Sequence, residues 1–189
     1  MKKVIRWFGS LISLLIVSGA LSAAEVAGVK IDDQAQVDGT QLVLNGAGVR
    51  SKFFVEVYVA ALYLPKRSQS VSDILAMPGP KRVSMHFLHD EVSKEKLVDA
   101  WEEGFQKNQS EESMKTLAPR LDQFNELFQT VHKGDIITLD YMPDDGTTVS
   151  INGTEKGKIP GADFYRAVLE VWLGEDPVNT DLKRALVGT

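Results

Sequence analysis

A chain of 189 residues, 43% hydrophobic and 25% charged, is long enough to bury a full core as one domain of ordinary globular composition. Its formal charge of −5 argues against nucleic acid and anionic membrane surfaces as partners, since both select basic faces. The absence of cysteine excludes a disulfide framework and a lipoprotein acylation site.

Residues 1–24 read as a secretory signal peptide and residues 25–189 as the domain it exports. Lys2, Lys3 and Arg6 form a charged start, and Leu11 to Val17 is a short apolar run. Ser22-Ala23-Ala24 then supply small residues ahead of Glu25. A retained anchor is the alternative, but the run is short beside the roughly 20 residues that a span requires. Removing the three basic residues of this leader takes the formal charge from −5 to −8. An exported, acidic, cysteine-free protein is expected in a bacterial periplasm, with no stable membrane span after cleavage.

Two strands are expected next, over Val26 to Ile31 and Gln36 to Leu44, with the Val37-Asp38-Gly39 break making a hairpin region. A glycine turn follows at Asn45 to Arg50, where Gly46 and Gly48 permit positive φ or the close approach of another group. From Phe53 to Pro65 the chain is apolar at both alternating sets of positions, which predicts a central strand covered on both faces. Arg50, on a tight connector beside that strand, is suited to hold an anionic or carbonyl group.

A short helix is predicted over Val71 to Met77 and is ended by Pro78-Gly79-Pro80. Val83, Met85 and Phe87 alternate with polar neighbours, predicting a strand over 81–88. Ser93 is a helix N-cap, and Leu97, Ala100, Trp101, Gly104 and Phe105 recur at helical spacing. Residues 108–113 read as a connector, with Pro119 in the first turn of a further helix whose stripe is Leu121, Phe124, Leu127, Phe128 and Val131. Ile136 to Met142 and the segment around Val149 and Ile151 are strands, and Asn152-Gly153 signals another hairpin. Ala162 to Leu173 is a helix stopped by Gly174, and a short helix near 180–187 closes the chain. Strands in runs with helices clustered between them predict an α+β domain, its antiparallel sheet covered by helices on one face.

The block Leu44-Asn45-Gly46-Ala47-Gly48-Val49-Arg50, followed about a dozen residues later by a strand ending in Tyr63-Leu64, resembles chalcone isomerase and its non-catalytic relatives. Val168 to Glu175, leading to Asp181-Leu182-Lys183-Arg184, is similar to that family's C-terminal helical region. The resemblance implies an open-faced β-sandwich in which a large sheet and a helical layer enclose a ligand cleft. It also implies a site for intramolecular ring closure, where a phenolate oxygen adds to a conjugated ketone. In that site an arginine orients the oxyanion, while a threonine, a tyrosine, an asparagine and a second threonine contact the substrate.

Carried onto this chain, the arginine is Arg50, Tyr58 replaces the first threonine and Val92 replaces the tyrosine. Asp99 replaces the asparagine, and Val171, next to Trp172, replaces the second threonine. One of the five positions is kept. Val92 and Val171 donate no hydrogen bond, and one such donor is commonly worth about 3–4 kcal/mol to a transition state. The resemblance therefore implies loss of the isomerase chemistry and no catalytic residue. What remains is an apolar cleft with one basic anchor, suited to a fatty acid or similar apolar acid, as some non-catalytic relatives bind. The expected ligand contacts are Arg50, Tyr58, Asp99, Val92, Val171 and Trp172.

Two other functions compete: an active isomerase rearranged around Arg50 and Tyr58, and an envelope interaction domain whose cleft is filled by side chains. A structural Arg50 paired with Glu56 or Asp99, and Trp101 and Trp172 as simple core residues, are the corresponding readings without a ligand. His86, His89 and Asp90 make a poor metal site, because strand residues three apart face opposite sides. No cofactor and no metal is expected.

Overall fold

The computed structural model describes residues 23–188. The expected leader, residues 1–24, lies outside them except for Ala23 and Ala24. In chain order the elements are β1 (Ala23–Val26), β2 (Val29–Asp32), β3 (Gln34–Val37), β4 (Thr40–Lys52), β5 (Val55–Leu64), α1 (Val71–Ala76), β6 (Lys81–Phe87) and β7 (Glu91–Val92). They continue with α2 (Lys94–Asn108), α3 (Glu111–Glu126), β8 (Val131–His132), β9 (Ile136–Met142), β10 (Gly146–Ile151), β11 (Thr154–Ile159), α4 (Ala162–Leu173) and α5 (Thr180–Leu186). Seven strands form one antiparallel sheet in the order β11-β10-β9-β6-β5-β4-β3.

Strand β5 sits between β4 and β6 and is buried from Val57 to Leu64, as its double apolar pattern predicts. Its even positions, Tyr58, Ala60, Leu62 and Leu64, share one core with the apolar stripes of α2, α3 and α4. Its odd positions, Val59, Ala61 and Tyr63, meet Leu42, Leu44 and Ile31 on the opposite face. There the small β1–β2 hairpin, through Val26, Val29 and Ile31, covers what the helices do not. The α+β architecture with helices on one face of an antiparallel sheet is thus the one expected. No helix among the described residues is long and apolar enough to cross a membrane.

Several local expectations change. The run from Val26 to Ile31 is cut by a turn at Ala27 and Gly28, whose φ values are 48° and 77°. The glycines at 46 and 48 make no turn; both lie inside the long strand β4. They are small because α5 crosses there. A Cβ on Gly46 would stand 2.0 Å from the Ala185 carbonyl oxygen, and one on Gly48 would stand 2.6 Å from Ala185 Cβ. Asn45, the extra residue at a β-bulge between Leu44 and Gly46, completes this dock. Its amide donates to Leu186 O (2.7 Å) and Ser68 O (3.0 Å), and its oxygen accepts from Ser68 N (2.7 Å).

The turn falls instead at Phe53 and Phe54, so the central strand begins at Val55. Residues 108–113 are not all connector, and Pro119 stands in the interior of α3. That helix starts eight residues earlier than Pro119, because Ser110 Oγ accepts from Ser113 N (3.1 Å) and Glu111 and Glu112 occupy its first turn.

Candidate functional site

A second bulge gives the site its shape. Register along β4 and β5 shifts between Arg50, opposite Tyr58, and Ser51, opposite Glu56, so Val57 is the unpaired residue. Its carbonyl accepts from both Leu88 N (2.9 Å) and His89 N (3.2 Å), which fixes the irregularity. Val57 and Tyr58 consequently both join the core on the helical side. Across from them α2 and α4 close together at Gly104, where an added Cβ would lie 2.7 Å from Val171 Cγ1.

Between sheet and helices lies a narrow cleft with a volume of about 30 Å3, room for a single water. Arg50, Tyr58 and Met85 line it from the sheet, Leu97 and Trp101 from α2, and Val171 and Trp172 from α4. An outer groove of about 360 Å3 continues from it and shares Arg50, Val57, Val92, Lys96 and Ala100. Arg50 stands where the two meet. Five of the six residues singled out from sequence, Arg50, Tyr58, Val92, Val171 and Trp172, line the inner cleft. Asp99 lines the outer groove, together with His89, Glu91 and Glu103.

Trp172 and Trp101 are core residues and cleft walls at once. Their rings meet edge to face with centroids 5.3 Å apart, and Trp101 also stacks on Phe128 at 5.7 Å. Trp172 Nε1 donates to Tyr58 Oη at 2.9 Å. Burial raises the Tyr58 pKa, opposed by the Arg50 charge and the Trp172 bond, so the phenol is a proton donor. Its own O–H has no acceptor among the described residues.

Arg50 is half-buried, with Cζ 5.5 Å from the Tyr58 ring centroid. Its Nε is sealed from solvent and has no hydrogen-bond partner. No salt bridge holds it among the described residues, so the pairing with Glu56 or Asp99 considered from sequence does not form. The lining of the inner cleft brings together donors from Arg50, Tyr58 and Lys96 and carries no carboxylate or imidazole. Such a lining can hold an acceptor.

Sequence reasoning passed over Met85 and Leu97 as lining residues. Their signals, strand alternation and helical spacing, mark a side chain as buried without saying whether it faces another side chain or a void. The outer groove left no local signal, because β5, α2 and the 88–91 segment contribute to it separately.

Fold and cleft together define a helix-covered antiparallel sandwich with a largely apolar cleft that carries Arg50 at its mouth. Residues 23–188 match the family model described as chalcone isomerase-like, and the chain belongs to that family. A comparison with curated proteins finds no match. Among solved structures, the Arabidopsis thaliana fatty-acid binding protein is similar in fold, with a TM-score of 0.70 over 88% of this chain and 96% of that one. At 14% identity, that likeness is one of architecture.

Proposed function

We propose that this protein binds a small apolar acid, a fatty acid being the type, and does not carry out ring closure. One observation carries the reading: the buried Nε of Arg50 lacks a partner beside the unused hydroxyl proton of Tyr58, in a cleft whose other lining residues are apolar except Lys96. A carboxylate supplies the acceptors that both groups lack, and an unpaired buried donor is costly until it finds one. The alkyl chain then lies in the outer groove against Val57, Val92 and Ala100, whose volume of about 360 Å3 is near the lower end of the roughly 300–1,000 Å3 usual for such ligands. The fold shared with a fatty-acid binding protein supports the same reading.

Val92 and Val171 provide no donor to a ketone oxygen, and the inner lining has no carboxylate or imidazole. Chalcone added to the protein is therefore expected to close no faster than in buffer. Titration with fatty acids, in the wild type and in Arg50→Ala, tests the anchor. Weaker binding in the variant supports it, and equal affinity removes it. We place the protein in a bacterial periplasm after removal of residues 1–24. Mass analysis of the fractionated protein tests this, with a chain beginning at Glu25 as the expected product.

A further inference from the structure

We propose that the hairpin tip between β4 and β5 docks on a bilayer of zwitterionic lipid and seats the mouth of the Arg50 cleft against it. Lys52 faces Val55 across a two-residue turn formed by Phe53 and Phe54, whose φ values are 49° and 68°. Two positive-φ positions in so tight a hairpin favour Asn-Gly or Gly-Gly, because a Cβ crowds the backbone there. This chain instead places two phenyl rings at the strained positions, and neither gains packing. Phe53 is 86% exposed and Phe54 is 104% exposed, with Val55 at 44%; these three are the exposed large hydrophobics among the described residues. Strain and wetted apolar surface thus coincide at one point, and nothing within the described chain offsets either.

The geometry decides what would offset them. Both rings lie almost wholly in water at a hairpin end, so the tip suits entry into a soft apolar medium more than closure against another protein's surface. Exposed Lys52 and Glu56 flank it, and Lys96, Asp99, Glu91 and Glu103 rim the adjoining groove. Both signs are present, which matches the paired charges of zwitterionic headgroups, whereas the formal charge of −5 opposes a strongly anionic surface. Phe53 and Val55 line the outer groove that leads to Arg50. With the tip among the headgroups, that groove opens toward the acyl chains, and an amphiphile reaches Arg50 without crossing water. This route rests on the ligand reading above; docking itself does not.

The chain has no cysteine, so Phe54→Cys supplies a single attachment point for an environment-sensitive fluorophore in the protein beginning at Glu25. With phosphatidylcholine vesicles and no added fatty acid, its emission is expected to shift to the blue and to be quenched by lipids carrying a nitroxide near the headgroup. The same shift is expected with Arg50→Ala also present. Phe54→Gly puts the favoured residue at the second positive-φ position and removes a ring that lines neither cavity. This variant is expected to melt no lower than wild type and to keep its affinity for a fatty acid supplied in solution. Its partition onto vesicles falls about tenfold, as loss of one inserted ring requires. Unchanged emission on vesicles, or equal partition of the turn variant, overturns docking and leaves the ligand reading intact. A shift seen only with native membranes that carry protein assigns the tip to a protein partner and equally overturns it. Arg50→Ala with undiminished fatty-acid affinity overturns the ligand reading alone.

Discussion

Replacing Arg50 with methionine separates a binding role from a structural one, because the two predict opposite signs. Among the described residues the guanidinium makes no salt bridge, and its Nε is buried without an acceptor. An orphaned buried donor costs about 1–3 kcal/mol. Against this stands the contact with the Tyr58 ring at 5.5 Å, worth about 0.5–1 kcal/mol at a partly exposed site. Methionine keeps most of the apolar stem, so Arg50→Met is expected to be neutral or to stabilise the free protein by up to about 2 kcal/mol. Ligand affinity moves the other way. A hydrogen bond to a charged group contributes about 1.5–3 kcal/mol, so fatty-acid binding should weaken about tenfold to a hundredfold. Urea denaturation of the apo protein and calorimetric titration of the same sample read the two effects. A loss of more than about 1 kcal/mol in stability, or affinity equal to wild type, refutes the reasoning.

Two further outcomes follow from the fold. Gly46→Ala forces a methyl to within 2.0 Å of the Ala185 carbonyl oxygen, which is backbone and cannot rotate away. It should cost about 3 kcal/mol in urea denaturation by lifting α5 from β4, whereas Gly28→Ala, with open space around it, should lose only about 1–2 kcal/mol to strain at φ 77°. Lys81 is buried, donates to Met77 O and Gly79 O, and lies 5.2 Å from the Tyr141 ring centroid. Burial pulls its pKa from 10.5 down to about 8. Below pH 8 both folded and unfolded chains carry the proton, so the cost of the buried ammonium is fully present. Between about 8 and 10.5 the folded protein releases it first, and this site's contribution to stability rises with pH. The stabilising effect of Lys81→Met should therefore shrink from pH 7 to pH 10 in thermal melts; an advantage constant across that range would refute the assignment.

How much of this was legible beforehand depends on the reach of each signal. Strand β5 announced itself because both of its faces are apolar, and the stripes of α2 and α4 recur at helical spacing; such patterns are read within one segment. The α3 start at Ser110 was also written locally, but Pro119 drew attention away from a serine cap with an acidic first turn. The position of the β4–β5 turn was misplaced because glycines mark tight turns, while the chain puts Phe53 and Phe54 there against that preference.

The order of apolar residues, by itself, determined an α+β chain with a twice-covered central strand, and two short blocks pointed to its family. Tertiary structure alone decided that Gly46 and Gly48 serve a helix more than 130 residues downstream, since closeness between distant segments leaves no periodic trace. It also decided that Trp172 reaches Tyr58 across 114 residues of chain, and that Arg50 Nε has no acceptor among the described residues beside them. A one-residue bulge at Val57 turns the strand toward the helices at that point, and a single inserted residue is invisible until its partner strand is in place.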